Sequence, residues 1–280
     1  MSLNKKEMMA EIVRCGKDPA FFCKKYAKIS HPMRGSIPFD LYDFQEAALK
    51  DFKENRFSVI LKARQLGIST TVAAYVCWMM LFHKDKNVLV VATKLGTAAN
   101  LVKKIKAIHK NLPAWLKISD ISIDNRNSFE LTNGSQVKAS STSGDAGRSE
   151  ALSLLVIDEA AFVDGIDELW AGLYPTLSTG GRCIALSTPN GVGNWFHKTY
   201  TEAQEKKNDF HTIKLPWDVH PERDQEWFAK ETRNMSRREI AQELECNFNA
   251  SGDTVVHGDD LKRIIENVYE PDHKTGFDRN

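Results

Sequence analysis

The sequence has little that points to a membrane, a metal cage or a disulfide framework. No apolar run approaches the ~18 residues of a membrane span, and the charged N-terminus lacks the apolar segment of a secretory signal. The five cysteines, Cys15, Cys23, Cys77, Cys183 and Cys246, are scattered with no C-x-x-C pair. That argues against disulfide or zinc use and fits a reducing compartment. An excess of one charge is also missing. Lys+Arg 38 against Asp+Glu 37 leaves +1, so any nucleic-acid contact must come from local patches. There is no internal repeat and no low-complexity tract. At 280 residues, 42% hydrophobic and 27% charged, the chain can bury the core of one large domain, or of a domain with a smaller partner.

Strand and helix signals alternate along most of the chain. Met8, Met9, Ile12 and Val13 have helical spacing, and Phe21, Phe22 and Tyr26 form a second apolar cluster, so residues 1–36 read as a small helical cap. Apolar runs at Phe57–Leu61, Asn87–Ala92, Leu152–Ile157 and Cys183–Leu186 read as strands covered on both faces. Between the first two lies a helical segment, Ser69–Phe82. After the second, Leu101, Ile105 and Ile108 repeat at helical spacing, with Lys103, Lys104, Lys106 and Lys110 on the other face. That stripe suits either a solvated helix face, the commoner case, or a DNA-facing surface. Asn133-Gly134 between two short runs predicts a hairpin. Strands alternating with helices imply a parallel α/β sheet. After about Pro216 the pattern changes. Ser236-x-x-Glu239 is a capping box, and Ile240, Leu244 and Phe248 form one helical stripe.

Ligands of such sheets sit at the carboxyl ends of the strands, and the polar residues cluster there. The first strand runs into L-K-A-R-Q-L-G-I-S-T-T at 61–71, a strand, a turn and a helix start of the kind that cradles phosphate. Against G-x-x-x-x-G-K-[ST], Gly67 and Ser69 fit, Lys62 stands at the first glycine and Ile68 at the lysine. Some cation must still meet the phosphates. Lys62 is the assigned substitute for the lysine and Arg64 a second contact, since arginine binds phosphate in a fork and lysine as a point charge. Ser69 would offer its hydroxyl to Mg²⁺ and Thr70 a neighbouring phosphate contact. Asp158-Glu159 ends the third apolar run. Asp158 suits Mg²⁺, and Glu159 suits polarising an attacking water. Phe44-Gln45 could stack on a purine and read its edge. A core phenylalanine beside a surface glutamine is the plainer alternative on spacing alone.

Taken in order, L-Y-D-F-Q at 41–45, A-R-Q-L-G at 63–67, L-T-N-G-S at 131–135, V-I-D-E-A-A-F at 156–162 and S-T-P-N-G at 187–191 resemble the ATPase part of the large terminase subunit of tailed bacteriophages, particularly the myovirus type. E-L-E-C-N-F-N-A-S-G near 243–252 extends the likeness, which covers most of residues 35–255. The resemblance implies an α/β, RecA-like additional-strand P-loop core with a mainly parallel sheet over 37–216. It also implies a small, mostly helical subdomain over 217–256, with residues 1–36 packing against it. It places the adenine motif on Phe44 and Gln45, and the phosphate loop on Lys62, Ala63, Arg64, Gln65, Leu66, Gly67, Ile68, Ser69 and Thr70. It places the metal carboxylate on Asp158 and the catalytic glutamate on Glu159. A motif relaying γ-phosphate loss to domain movement falls on Leu186, Ser187 and Thr188. Myovirus members usually carry lysine where this chain has Ile68, whereas other terminases move it to the head of the loop, as Lys62 does. For the arginine finger, Arg148 in trans is favoured over Arg64 in cis.

The implied function is Mg-ATP hydrolysis coupled to translocation of double-stranded DNA into a procapsid. The implied partners are non-specific DNA, a portal protein, the small terminase subunit and further copies in a ring, in the host cytoplasm and away from membranes. Relatives continue into a nuclease domain at about Asn280, so 257–280 is expected to be a linker and DNA cutting to lie elsewhere. A helicase-type ATPase would share the adenine motif, the loop and the D-E pair. A nucleotide-binding scaffold without turnover is the reading that Ile68 favours.

Overall fold

Unbroken apolar runs become central parallel strands because both faces of such a strand are covered. The computed structural model describes residues 3–31, 33–141 and 150–251. Helices α1 (Lys5–Lys17) and α2 (Pro19–Tyr26) and an antiparallel pair, β1 (Lys28–His31) and β2 (Gly35–Pro38), lead into the core. The core then runs α3 (Asp43–Glu54), β3 (Phe57–Lys62), α4 (Ile68–Phe82), β4 (Asn87–Val91), α5 (Leu95–Asn111), β5 (Ile121–Asp124), β6 (Ser128–Leu131) and β7 (Gln136–Ser140). It continues through β8 (Leu154–Asp158), α6 (Ile166–Leu173), β9 (Arg182–Ser187), α7 (Trp195–Gln204) and β10 (Phe210–Leu215). Three short helices follow: α8 (Gln225–Glu231), α9 (Arg237–Glu243) and α10 (Phe248–Ser251).

The eight strands lie in the order β10-β3-β9-β8-β4-β7-β6-β5. The first six are mutually parallel, and β6 and β5 are antiparallel at the far edge. The sheet is therefore mixed but mainly parallel and flanked by helices, as expected. The Asn133-Gly134 hairpin joins β6 to β7, with Gly134 at φ +84. Register sets the carboxyl ends level: Leu61 lies beside Ser187, and Leu186 beside Asp158.

Helix α4 is apolar on every side and buried from Ile68 to Leu81 apart from Ser69 and Thr70, as an all-round hydrophobic helix must be. Its cover comes from α5 on one side and from α1, α2 and α3 on another. Trp78 Nε1 donates to the Cys15 carbonyl at 2.7 Å, Tyr75 Oη to the Phe52 carbonyl at 2.8 Å, and Phe22 meets Phe82 edge-on. The N-terminal helices thus pack onto the core, where the sequence suggested packing with the small subdomain. Their buried faces, with Cys15, Phe22 and Cys23, match the apolar wall of α4.

Beyond Pro216 the regular elements among the described residues are all helical. The capping box of Ser236 and Glu239 starts α9, but the expected single stripe splits. Leu244 ends the helix, Cys246 takes φ 56, and Phe248 belongs to α10. No helix among the described residues is long and apolar enough to cross a membrane.

Candidate active site

The loop over residues 62–70 follows directly from β3. Gly67 caps α4 at φ 73, a left-handed conformation that favours glycine, and a β-carbon there would sit 2.7 Å from Gln45 Nε2. Gln65 takes φ 57 without being glycine, a strain of about 1–2 kcal/mol that surrounding bonds must hold. They are present. Arg223 donates from Nη1 to the Arg64 carbonyl at 3.2 Å and from Nη2 to the Gln65 carbonyl at 3.1 Å. The Arg64 N–H donates to the Glu243 carbonyl at 2.8 Å, and its Nε meets Glu243 Oε2 at 3.0 Å. Gln45, buried at the head of α3, accepts from the Tyr42 N–H at 3.1 Å and donates to the Leu66 carbonyl at 3.0 Å. One amide hydrogen and one lone pair remain on Gln45, the pair an adenine edge would need. Phe44 is half-buried and stacked on Tyr42, with centroids 5.6 Å apart and planes 9° apart, and His220 lies 6.3 Å away.

The carboxylates sit across the cleft from this loop. Asp158 is buried at the end of β8, accepting from Ser69 Oγ at 3.4 Å and from the Glu159 N–H at 3.0 Å. Burial pushes its carboxyl above the ordinary value, against the opposing pull of Lys62. A desolvated carboxylate beside a hydroxyl is the hard-oxygen set that Mg²⁺ takes, so the residues fit that ion. Glu159 then turns into the left-handed region, φ 55 and ψ 40, and its Oε2 accepts from Thr93 Oγ1 at 3.3 Å. Lys62, Arg64, Thr93, Glu159, Thr188 and Glu243 line one cleft of about 270 Å³.

Leu186, Ser187 and Thr188 are buried on β9 and just beyond it, between the loop strand and the carboxylate strand. Ser187 Oγ accepts from the Ala161 N–H at 3.1 Å, and Asn190 Nδ2 donates to the Ala161 carbonyl at 3.1 Å. The Gly191 N–H donates to Ser251 Oγ at 3.0 Å, tying the same stretch to α10. Arg148 lies outside the described residues. Ile68 is buried, so an apolar side chain fills the place of the standard lysine.

Sequence reasoning missed two contributors. Arg223 carried no motif. Lys104 counted only as one of a stripe, yet its Nζ donates to Thr70 Oγ1 at 3.2 Å. The residue is exposed overall, but its ammonium is partly desolvated, which lowers its pKa. Asp158 opposes that shift and Lys62 adds to it. Its stripe neighbour Lys106 instead pairs with Asp124 at 2.7 Å.

Solved structures share this fold. The large terminase ATPase domain of Thermus phage P74-26 superposes with a TM-score of 0.61 at 20% identity, over 75% of this chain and 94% of that one. The large terminase of bacteriophage HK97 gives 0.62 at 17% identity over 83% of this chain and 55% of that one. The large terminase of a thermophilic bacteriophage, solved in complex with ADP, gives 0.59 at 14% identity over 73% of this chain and 52% of that one. The chain thus matches about half the length of the last two. Residues 59–263 match the family described as the N-terminal part of the T4likevirus-type terminase large subunit. With the loop, the carboxylate pair and the intervening strand all inside that span, the chain belongs to the terminase large subunit family.

Proposed function

We propose that this chain hydrolyses ATP with Mg²⁺ and couples the reaction to movement of double-stranded DNA into a procapsid. One observation carries the reading. Asp158 is bonded to Ser69 at the carboxyl edge of the sheet, and Glu159, the next residue, lines one cleft with the cation Lys62.

The triphosphate lies along the loop 62–70, with Phe44 and Gln45 beside the base. Ser69 and Asp158 would hold Mg²⁺, which would neutralise charge on the phosphates. Glu159 orients the attacking water and receives its proton. The Lys62 ammonium has no hydrogen bond or ion pair among the described residues, whereas the Arg64 guanidinium rests on Glu243. That supports Lys62 in the place of the missing lysine, with Arg64 joining only after leaving Glu243. An arginine finger from Arg148 of a neighbouring copy completes the charge balance. Loss of the γ-phosphate is relayed through Ser187 and Thr188 to Ala161 and, through Gly191, to Ser251. The partners proposed are DNA phosphates, a portal protein, the small terminase subunit and further copies in a ring, within the host cytoplasm.

Replacing Glu159 by alanine tests the reading. Turnover measured by phosphate release should fall by about 10³-fold, the middle of the range for a lost general base, while ATP binding survives. Full hydrolysis by Glu159→Ala would sink the assignment.

A further inference from the structure

We propose that Lys104 is a direct ligand of the terminal phosphate, supplying from α5 the positive charge that Ile68 cannot supply from the loop. The inference rests on the nucleotide-site reading above and deepens it.

Three observations carry it. First, Ile68 is buried, so the head of α4 presents no cation of its own where the family motif has one. Second, Lys104 Nζ is already at the loop, donating to Thr70 Oγ1 at 3.2 Å. Third, the backbone that delivers it is fixed. Leu101, Val102, Ile105 and Ile108 bury the inner face of α5, Lys104 stands at the edge of that face, and α5 packs along α4. The stripe of lysines on α5 is therefore not uniform. Lys106 is held at the Asp124 turn, Lys103 lies with Lys106 beside Arg126, and Lys104 turns to the loop.

The ammonium has three donors and spends one on Thr70. Two remain for phosphate oxygens. Lys62 approaches from the end of β3 and Lys104 from α5, so the two cations enter from different elements. An ammonium is a compact point charge that needs no fixed fork geometry, which suits a site approached by a long side chain from a neighbouring helix.

The test compares wild type with Lys104→Met, which keeps the stem and removes the charge, and with Lys104→Arg. Binding of a non-hydrolysable ATP analogue and of ADP is measured by calorimetry with Mg²⁺, alongside thermal melting. For Lys104→Met the expected result is about tenfold weaker binding of the ATP analogue, equivalent to ~1.4 kcal/mol, with ADP affinity within about twofold and the melting temperature unchanged. Lys104→Arg should retain most of the affinity, because the charge is kept. Equal losses for both nucleotides, or a fall in melting temperature that accounts for the loss, would show a structural role and overturn the proposal. So would no loss at all. A wild-type protein that binds neither nucleotide overturns the underlying reading as well, whereas normal wild-type binding with an indifferent Lys104→Met overturns this inference alone.

Discussion

The two halves of the site solve the same backbone problem differently. Each contains a non-glycine residue in the left-handed region, Gln65 in the loop and Glu159 after β8. The carboxylate turn is held from within the sheet, by Ser187 and Asn190 on the neighbouring strand's extension. The loop is held from outside it, by Arg223 and Glu243 from the segment beyond Pro216. Bonds anchored on a buried strand open only with the core, while those from an exposed turn and a short helix belong to the less stable end of a structure. The carboxylates are thus a fixed reference, and the loop is the part whose shape depends on another body.

The strongest way to break this contrast is at the cations. Lys62→Ala should lower turnover by about 10²–10³-fold, the loss seen when a preorganised charge is removed from a developing anion. Arg64→Ala, freed only of its contact with Glu243, should cost less than Lys62→Ala in the same phosphate-release assay. The reverse ranking would make Arg64 the phosphate ligand.

A smaller effect is expected at the external brace. Arg223→Ala leaves two loop carbonyls without their charged donor. About a tenfold drop in kcat/KM should follow, the size of one charge-assisted bond pair of ~1.4 kcal/mol. The fold itself should stand, since Arg223 is outside the core cluster. A drop in melting temperature without a kinetic change would invert the comparison.

The smallest effect should appear as stability. Burial raises the Asp158 carboxyl, so its ionised form disfavours the native state at neutral pH. That cost fades as pH falls through the raised value toward the ordinary carboxylate range. Asp158→Asn should therefore melt higher than wild type in metal-free, nucleotide-free buffer, by about 2–4 °C for each kcal/mol relieved. The gap should narrow on acidification. A lower melting temperature for the variant at neutral pH would contradict this account.

Much of the frame was legible because burial writes itself into sequence. The runs that became β3, β4, β8 and β9, the Asn133-Gly134 turn and the capping box at Ser236 needed only local rules. Strand β10, F-H-T-I-K-L, escaped because an edge strand mixes polar with apolar residues. Strand β5 escaped because all four of its residues are exposed. Within the site, the loop and the D-E pair announced themselves by residue type at strand ends. Lys104 and Arg223 did not, since a long cationic side chain looks the same whether it reaches solvent, DNA or a loop. Only the packing of α5 on α4, and of the last helices on the loop, distinguishes those cases.

The double attachment of Arg64 to Glu243, by backbone and by side chain, has a mechanical consequence. If nucleotide in the loop shifts these bonds, then a tug on α9 that shifts them must alter nucleotide affinity by the same free energy, because such coupling is reciprocal. A resisting load on the segment beyond Pro216 would then register at the phosphates as tighter or looser grip, making this short contact a strain gauge.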